Sequence, residues 1–334
     1  MVLSVIIPTY QRNKILPIVL QHLANALVNI NAEIIVINDD KQNQILPISL
    51  NNNDIPLNIY NNKKAGAASA RNYGSNIANG EILLFLDDDI LIDSETISSI
   101  LKIHTEYDKA ISTPIWEYSS EMKILLNKNS FGKFRLIYDY GSIRGRKNNE
   151  TKENSKHYLV DSLASFCLSI KKKHFIQLNG MDDLFPYAGC EDQEFSARAK
   201  QNGFILLLDE NNTVLHHEID RIQKSVWLNR QYNGVQGFVR LANLYPDKKK
   251  LELWYENTPI SKSDSTKLKI KKVIKKIARQ NFSITIVNSL TYLLESLKVN
   301  YSILEKIYLI QTGIYINKGF NNSYENHSHS NDNG

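Results

Sequence analysis

The stretch EILLFLDDDI, residues 81–90, decides how this chain is read. An apolar run from Ile82 to Leu86 ends abruptly in Asp87, Asp88 and Asp89, and Ile90 and Leu91 are apolar again. A short apolar run that meets polar residues in this way is consistent with a buried strand. Three neighbouring carboxylates at the end of such a strand repel one another and lose hydration. The placement therefore calls for something positive among them. The plainer alternative is a turn leading into the next helix, for which Asp93 or Ser94 is a suitable cap and which would run to about Glu106.

Upstream of the triplet the same grammar repeats. Val2–Ile7 is a β-branched run ended by Pro8, and Glu33–Ile37 is strand-like and ends in Asn38, Asp39 and Asp40. Leu57–Tyr60 is a weaker strand. Between these, Leu16, Val19, Leu20, Leu23, Leu27 and Ile30 follow helical spacing, and Ser69–Ala78 reads as a helix opened by the small residues Ala65–Ala68. Strands alternating with helices predict βαβ units and a largely parallel sheet. The alternation covers the first 115 residues or so. From Trp116 to Lys156 it dissolves into a polar, aromatic, lysine-rich segment that reads as a long loop. Regularity returns at Leu163–Ile170, and beyond Asp220 the pattern becomes long helices and a polar tail read as disordered.

Composition sets the outer limits. The chain has 334 residues, 42% hydrophobic and 22% charged, enough to bury a core. A net charge of +5 suits a phosphate-bearing partner but does not by itself argue for nucleic acid. Two isolated cysteines, Cys167 and Cys190, indicate neither a disulfide framework nor a zinc site and point to a cytoplasmic setting. The N-terminal apolar run reads as a first strand rather than a signal segment, and no run of 18 apolar residues suggests a transmembrane helix.

In an open parallel sheet, ligands bind beyond the carboxyl ends of the strands. Three polar clusters fall at such ends: Thr9–Arg12, Asn38–Asp40 and Asp87–Asp89. Hard carboxylate oxygens suit Mg²⁺ or Mn²⁺, which keep few protein ligands and take the rest from substrate phosphates. A D-x-D at a strand end is what a metal–diphosphate site needs.

Six stretches in order, VIIPTYQRN, EIIVINDD, GAASARNYG, EILLFLDDDI, NGMDDLF with CEDQEFSARAKQNGF, and TVLHHE, resemble the motifs of the inverting glycosyltransferases of family 2, which have the GT-A fold. The resemblance spans about residues 2–218. It implies a Rossmann-like α/β fold with a mixed, mainly parallel sheet flanked by helices. The domains would be a catalytic one over 1–220, a helical C-terminal extension over 221–320 and a tail over 321–334.

The resemblance also assigns roles. The nucleotide base would rest against Pro8, Thr9 and Tyr10, with Asp39 accepting a hydrogen bond from it; Asn38 stands where the family usually has the first of two aspartates. Gly66 would let the backbone approach the nucleotide, or serve only as a turn residue. Arg71 would reach the base or diphosphate, the alternative being a helix-surface salt bridge. Asp87 and Asp89 would hold the metal and the donor ribose, with Asp89 the most direct ligand and Asp88 left to the sugar or solvent. Of the two late histidines, His216 is preferred over His217 as the third metal ligand; as neighbours on a strand they should face opposite ways. Asp192 is the implied general base and Glu191 its companion, against the alternative of acids favoured at a helix N-terminus. Arg198 would orient that loop.

A separate signal lies at residues 267–280, KLKIKKVIKKIARQ, where Ile270, Val273, Ile274, Ile277 and Ala278 share a face amid basic residues. Such a helix fits the inner face of an anionic membrane, or packs on the domain through its apolar side. The function implied is metal-assisted transfer of a sugar, UDP-linked by preference, to a glycan or lipid-linked acceptor in cell-surface polysaccharide or glycoconjugate synthesis. The alternatives are sugar nucleotidyl transfer, for which PTYQRNK lacks the glycine-rich basic signature, and a non-catalytic nucleotide-binding module at the membrane.

Overall fold

The structure is a computed structural model that describes residues 1–45, 48, 50, 51, 55–147, 151, 152, 157–185 and 187–331. Its elements run in the order β1 (Leu3–Thr9), α1 (Leu16–Ala26), β2 (Ala32–Asn38), β3 (Leu57–Asn61), α2 (Ala67–Ile77), β4 (Ile82–Leu86), β5 (Ile90–Leu91), α3 (Ser94–Glu106), β6 (Ala110–Tyr118), α4 (Ser120–Leu126) and α5 (Ser130–Lys147). They continue with β7 (Thr151–Lys152), β8 (His157–Leu159), β9 (Cys167–Lys171), α6 (Lys172–Gln177), α7 (Glu191–Gln201) and β10 (Ile205–His216). Six helices come after β10: α8 (Lys224–Gly234), α9 (Gln236–Leu244), α10 (Glu252–Tyr255), α11 (Thr266–Ala278), α12 (Asn281–Ser296) and α13 (Tyr301–Asn331).

Two compact units emerge. The first comprises Met1–Lys123, Gly141–Leu184 and Glu191–Asp220; the second comprises Ile124–Tyr140, Phe185–Cys190 and Arg221–Gly334. The first is organised by one sheet in the order β3-β2-β1-β4-β9-β6-β10-β8-β7, with β5 paired to β10. The block β3-β2-β1-β4 is parallel throughout, as is β6 with β10, while β9 runs antiparallel between β4 and β6. On β1, Val5 and Ile7 join one core and Ile6 joins the other, so this central strand is covered on both faces. Continuous apolar runs are what such a position requires. The α2 helix packs so closely that a Cβ on Gly74 would lie 2.4 Å from the side chain of Ile6, and only glycine fits.

One buried group makes the stability of the first unit pH-dependent. His104, on the inner face of α3, bonds Ser169 Oγ through Nε2 at 2.9 Å, and among the described residues its Nδ1 has no partner. Burial, helped by nearby Lys171, pushes its pKa down to about 4 from an ordinary 6.5. The folded protein therefore keeps His104 neutral where the unfolded chain protonates it. Stability should fall as pH drops from about 6.5 towards 4, by roughly 2–3 kcal/mol from this residue. Urea titrations across that range should show this part of the slope missing in His104→Gln; parallel curves would refute it.

Two expectations are corrected. The Trp116–Lys156 segment is not one long loop: β6 extends to Tyr118, and α4 and α5 occupy much of the remainder. The spacing of Phe131, Phe134 and Tyr138 is helical, and these rings pack on Trp227, Leu304 and Tyr308. Gly132 and the surrounding lysines hide that stripe in the sequence. The tail beyond residue 320 continues α13 as far as Asn331, and residues 332–334 lie outside the described ones. Phe320 and Tyr324 stack on each other and both meet the Trp254 ring edge-on.

Candidate active site

All the groups of this site belong to the first unit. The parallel register aligns Thr9 with Asn38 and places Phe85 beside Ile6, so the three polar clusters come to one edge of the sheet. At the β2 end, Asn38 is buried and its amide nitrogen donates to the carbonyls of Asp40 and Asn43 and to Asn61 Oδ1. A carboxylate could make none of these bonds, which accounts for asparagine here. Asp39 accepts from Gly66 N at 2.9 Å and from Asn62 Nδ2 at 2.7 Å, while its own backbone nitrogen donates to Thr9 O at 2.8 Å. Gly66, at φ 120°, thus starts α2 against Asp39 in a conformation that disfavours other residues. Tyr10 is half exposed beside this corner, next to Pro8 and buried Thr9.

Two arginines answer the charge problem posed by the triplet. Arg12, fully buried, binds Asp88 at 3.1 Å and also pairs with Asp89 Oδ2 and Asp220 Oδ1. Arg71, from α2, binds Asp87 at 2.7 Å and Glu191 at 3.3 Å. It is buried rather than a helix-surface residue, and among the described residues its Nε has no hydrogen-bond partner. Burial, reinforced by Asp89, pushes the Asp88 carboxyl up to about 6 against the pull of Arg12. Burial likewise raises Asp87, opposed by Arg71. Next to Arg71, Asn72 clamps Met181 by two 2.8 Å bonds, so the A-R-N motif ties α2 to both later acidic segments.

After the triplet the chain folds back as β5 and pairs with β10, Ile90 opposite His216. That pairing brings His216 Nδ1 to 3.6 Å from Asp89 Oδ1, the oxygen not used by Arg12. The His216 ring lies among Trp116, Tyr118 and Phe166. His217 turns the other way, bonding Ser119 Oγ at 2.9 Å, and its backbone nitrogen donates to Asp89 O at 2.7 Å. Glu191 and Asp192 open α7; Glu191 is buried against Arg71, whereas Asp192 is partly buried. Arg198 binds Glu194 at 2.7 Å and the Leu178 carbonyl.

The donor set of Asp87, Asp89 and His216 suits a divalent cation such as Mn²⁺ or Mg²⁺. Among the described residues no three His, Cys, Asp or Glu side chains form a complete ligand cluster. An ion held by them would draw its remaining ligands from a bound diphosphate.

The chain has known relatives. A family model described as glycosyl transferase family 2 matches residues 4–178, more than half of the chain. The chain belongs to glycosyl transferase family 2. A second model, described as the N-terminal domain of galactosyltransferase, matches residues 148–217. An uncharacterized glycosyltransferase of Haemophilus influenzae is 30% identical over 102 residues, covering 30% of this chain and 34% of that protein. The minor teichoic acid biosynthesis protein GgaB of Bacillus subtilis is 32% identical over 112 residues, 32% of this chain and 12% of that one. The chain thus aligns with about a third or less of either relative. A mannosyltransferase from Pyrobaculum calidifontis, solved with GDP-Man and Mn²⁺, superposes with a TM-score of 0.55 at 13% identity, covering 95% of this chain and 86% of that one. GalNAc-T7, solved with UDP, GalNAc and Mn²⁺, gives 0.54 at 15% identity over 82% and 54% of the two chains. These likenesses establish the GT-A fold.

Against the family pattern, the residue that sequence reasoning passed over is Arg12, together with Asp220. Their 208-residue separation hides the pair. The signal was nevertheless present: a triplet of aspartates needs a cation, and Arg12 sits at the end of the adjoining strand.

Proposed function

We propose that this chain is an inverting glycosyltransferase that moves a sugar from a nucleotide diphosphate, UDP by preference, to a hydroxyl of a glycan or lipid-linked acceptor. The observation that carries this reading is the ion pairing of Arg71 to both Asp87 and Glu191, which joins the D-x-D strand end to the acidic start of α7. A donor diphosphate and an acceptor hydroxyl have to meet at such a junction. In the transfer, the acceptor oxygen attacks the anomeric carbon, the bond from that carbon to the diphosphate breaks, and the nucleotide diphosphate leaves with the electron pair. Asp192 takes the hydroxyl proton, acting as general base. Its partial exposure supports that role, while buried Glu191 binds Arg71 and positions the α7 start. The Pro8–Tyr10 turn, Asp39 and Gly66 would border the base, and Asp88, held by Arg12, would border the sugar. Asp89, Asp87 and His216 would hold Mn²⁺ or Mg²⁺, with Asp89 the most direct ligand. When bound, such an ion supplies Lewis-acid stabilisation of the charge on the departing diphosphate.

The test is a panel of nucleotide sugars incubated with the protein and Mn²⁺, with released nucleotide diphosphate measured. One donor, UDP-linked, should be hydrolysed slowly without acceptor, and the release should stop in EDTA. Neither release nor calorimetric binding of any donor would refute the reading.

A further inference from the structure

The helices α11 and α12 of the second unit are built inside out. On α12, Asn288 bonds Gln311 and Tyr315 on α13, and Glu295 receives Lys224 and Tyr308, each at 2.7 Å. Thr291 is fully buried. The polar side of the helix thus faces the protein. Its outward side carries Phe282, Ile286, Leu290 and Leu293, continued by Leu297 just past the helix end, and these are 48–74% exposed. Their spacing of four, four, three and four residues keeps them in one stripe. On α11, Lys272 is buried on Asp264 at 2.8 Å, and Lys271 and Lys275 bind Glu256. The outward side of α11 is Ile270, Val273, Ile274 and Ile277, 45–61% exposed. Water-facing helices of globular proteins show the reverse arrangement.

We propose that the outward face of α11 and α12 docks on an anionic phospholipid bilayer. Contiguous exposed apolar surface of this kind marks an interaction site. Charge selects the occupant. The α11 sequence contains six lysines and no acid, and Lys267 and Lys276 remain exposed beside the stripe. The one acid on α12, Glu295, faces inward. A second copy of this chain would bring like charge against like, whereas anionic headgroups meet the lysines while acyl chains receive the isoleucines and leucines. An open groove of about 420 Å³, lined by Leu253, Ile274, Ile310 and Ile314 together with Glu252 and with Glu256, which Lys271 and Lys275 neutralise, borders the α11 stripe. With 16 residues, α12 is about 24 Å long, too short for a hydrocarbon core of about 30 Å. Among the described residues no helix is long and apolar enough to cross a membrane. The face therefore lies along the bilayer surface. The apolar side of the basic helix is exposed at Ile270, Val273, Ile274 and Ile277.

The test needs no sugar donor. The purified protein is sedimented with vesicles of phosphatidylcholine, with and without phosphatidylglycerol. Binding should favour the anionic vesicles and weaken, without vanishing, as salt rises. Replacing both Leu290→Asp and Leu293→Asp should cost at least about tenfold in vesicle affinity, since each leucine contributes apolar burial. Ile277→Asp on α11 should act in the same direction. All the substituted side chains are exposed, so melting temperature should hold. Absence of vesicle binding, or binding that these variants retain, would overturn the proposal. A concentration-dependent dimer that the variants dissociate, without vesicle binding, would assign the face to self-association and overturn it equally.

Discussion

Replacing Asp89 with alanine should leave a folded protein that transfers no sugar. The fold should survive because Arg12, the buried partner, keeps Asp88 at 3.1 Å and the Asp220 contact, so no uncompensated guanidinium is left inside. The backbone bond from His217 N to Asp89 O does not depend on the side chain. What is lost is the carboxylate whose Oδ1 faces His216 and whose neighbour two residues earlier is Asp87. A divalent ion that this carboxylate would hold would stabilise the leaving diphosphate by several kcal/mol, so its loss corresponds to a rate loss of about three orders of magnitude or more. Three measurements check it: initial rates, Mn²⁺-dependent nucleotide binding by calorimetry, and thermal melting of wild type and variant. A variant that melts normally, binds nucleotide only without a Mn²⁺ dependence and does not turn over is the expected result. Full wild-type activity in EDTA would remove the metal from the reading, and an unfolded variant would make Asp89 a structural residue.

The same residues show what the sequence can and cannot disclose. Each strand end was legible because an apolar run stops at polar residues, and that local contrast survives without any knowledge of partners. The outward and inward directions of His216 and His217 followed from strand alternation, since neighbours on a strand must face opposite sides. Pairings across the fold were not legible. Arg12 and Asp220 are 208 residues apart and are joined only by the fold: the aspartate triplet signals that a cation is needed, but nothing near Asp220 points to Arg12. The α5 helix was missed for a different reason. Its ring stripe of Phe131, Phe134 and Tyr138 is diluted by glycine and charge, and its packing on Trp227 and Tyr308 supplies order that propensity does not. The apolar positions of α11 were read correctly as one face. Which way that face points is a tertiary fact, set by Glu256 and Asp264 capturing the lysines.

Asp192→Asn should lower kcat by about 10²–10⁴-fold while leaving donor affinity nearly unchanged. Asparagine keeps the shape of the side chain and can still accept a hydrogen bond, but it cannot take the acceptor proton. Donor binding should be spared because on the proposed reading the diphosphate would be met by Asp87, Asp89 and Arg71, and Arg71 is anchored by Asp87 and Glu191 through direct contacts. Glu191→Gln has the opposite profile. It weakens a buried ion pair of Arg71, so it should disturb donor binding and stability more than proton transfer. The split between the two variants is thus diagnostic: one mainly in kcat, the other mainly in KM and melting temperature. Donor calorimetry with initial rates across pH distinguishes them, because loss of a general base also removes the acidic limb of the kcat profile. If Asp192→Asn turns over normally and Glu191→Gln is dead, the base is Glu191 and the roles are exchanged. If both variants are active, the acids serve only to start α7, where a helix N-terminus favours negative charge, and the base lies elsewhere in the site.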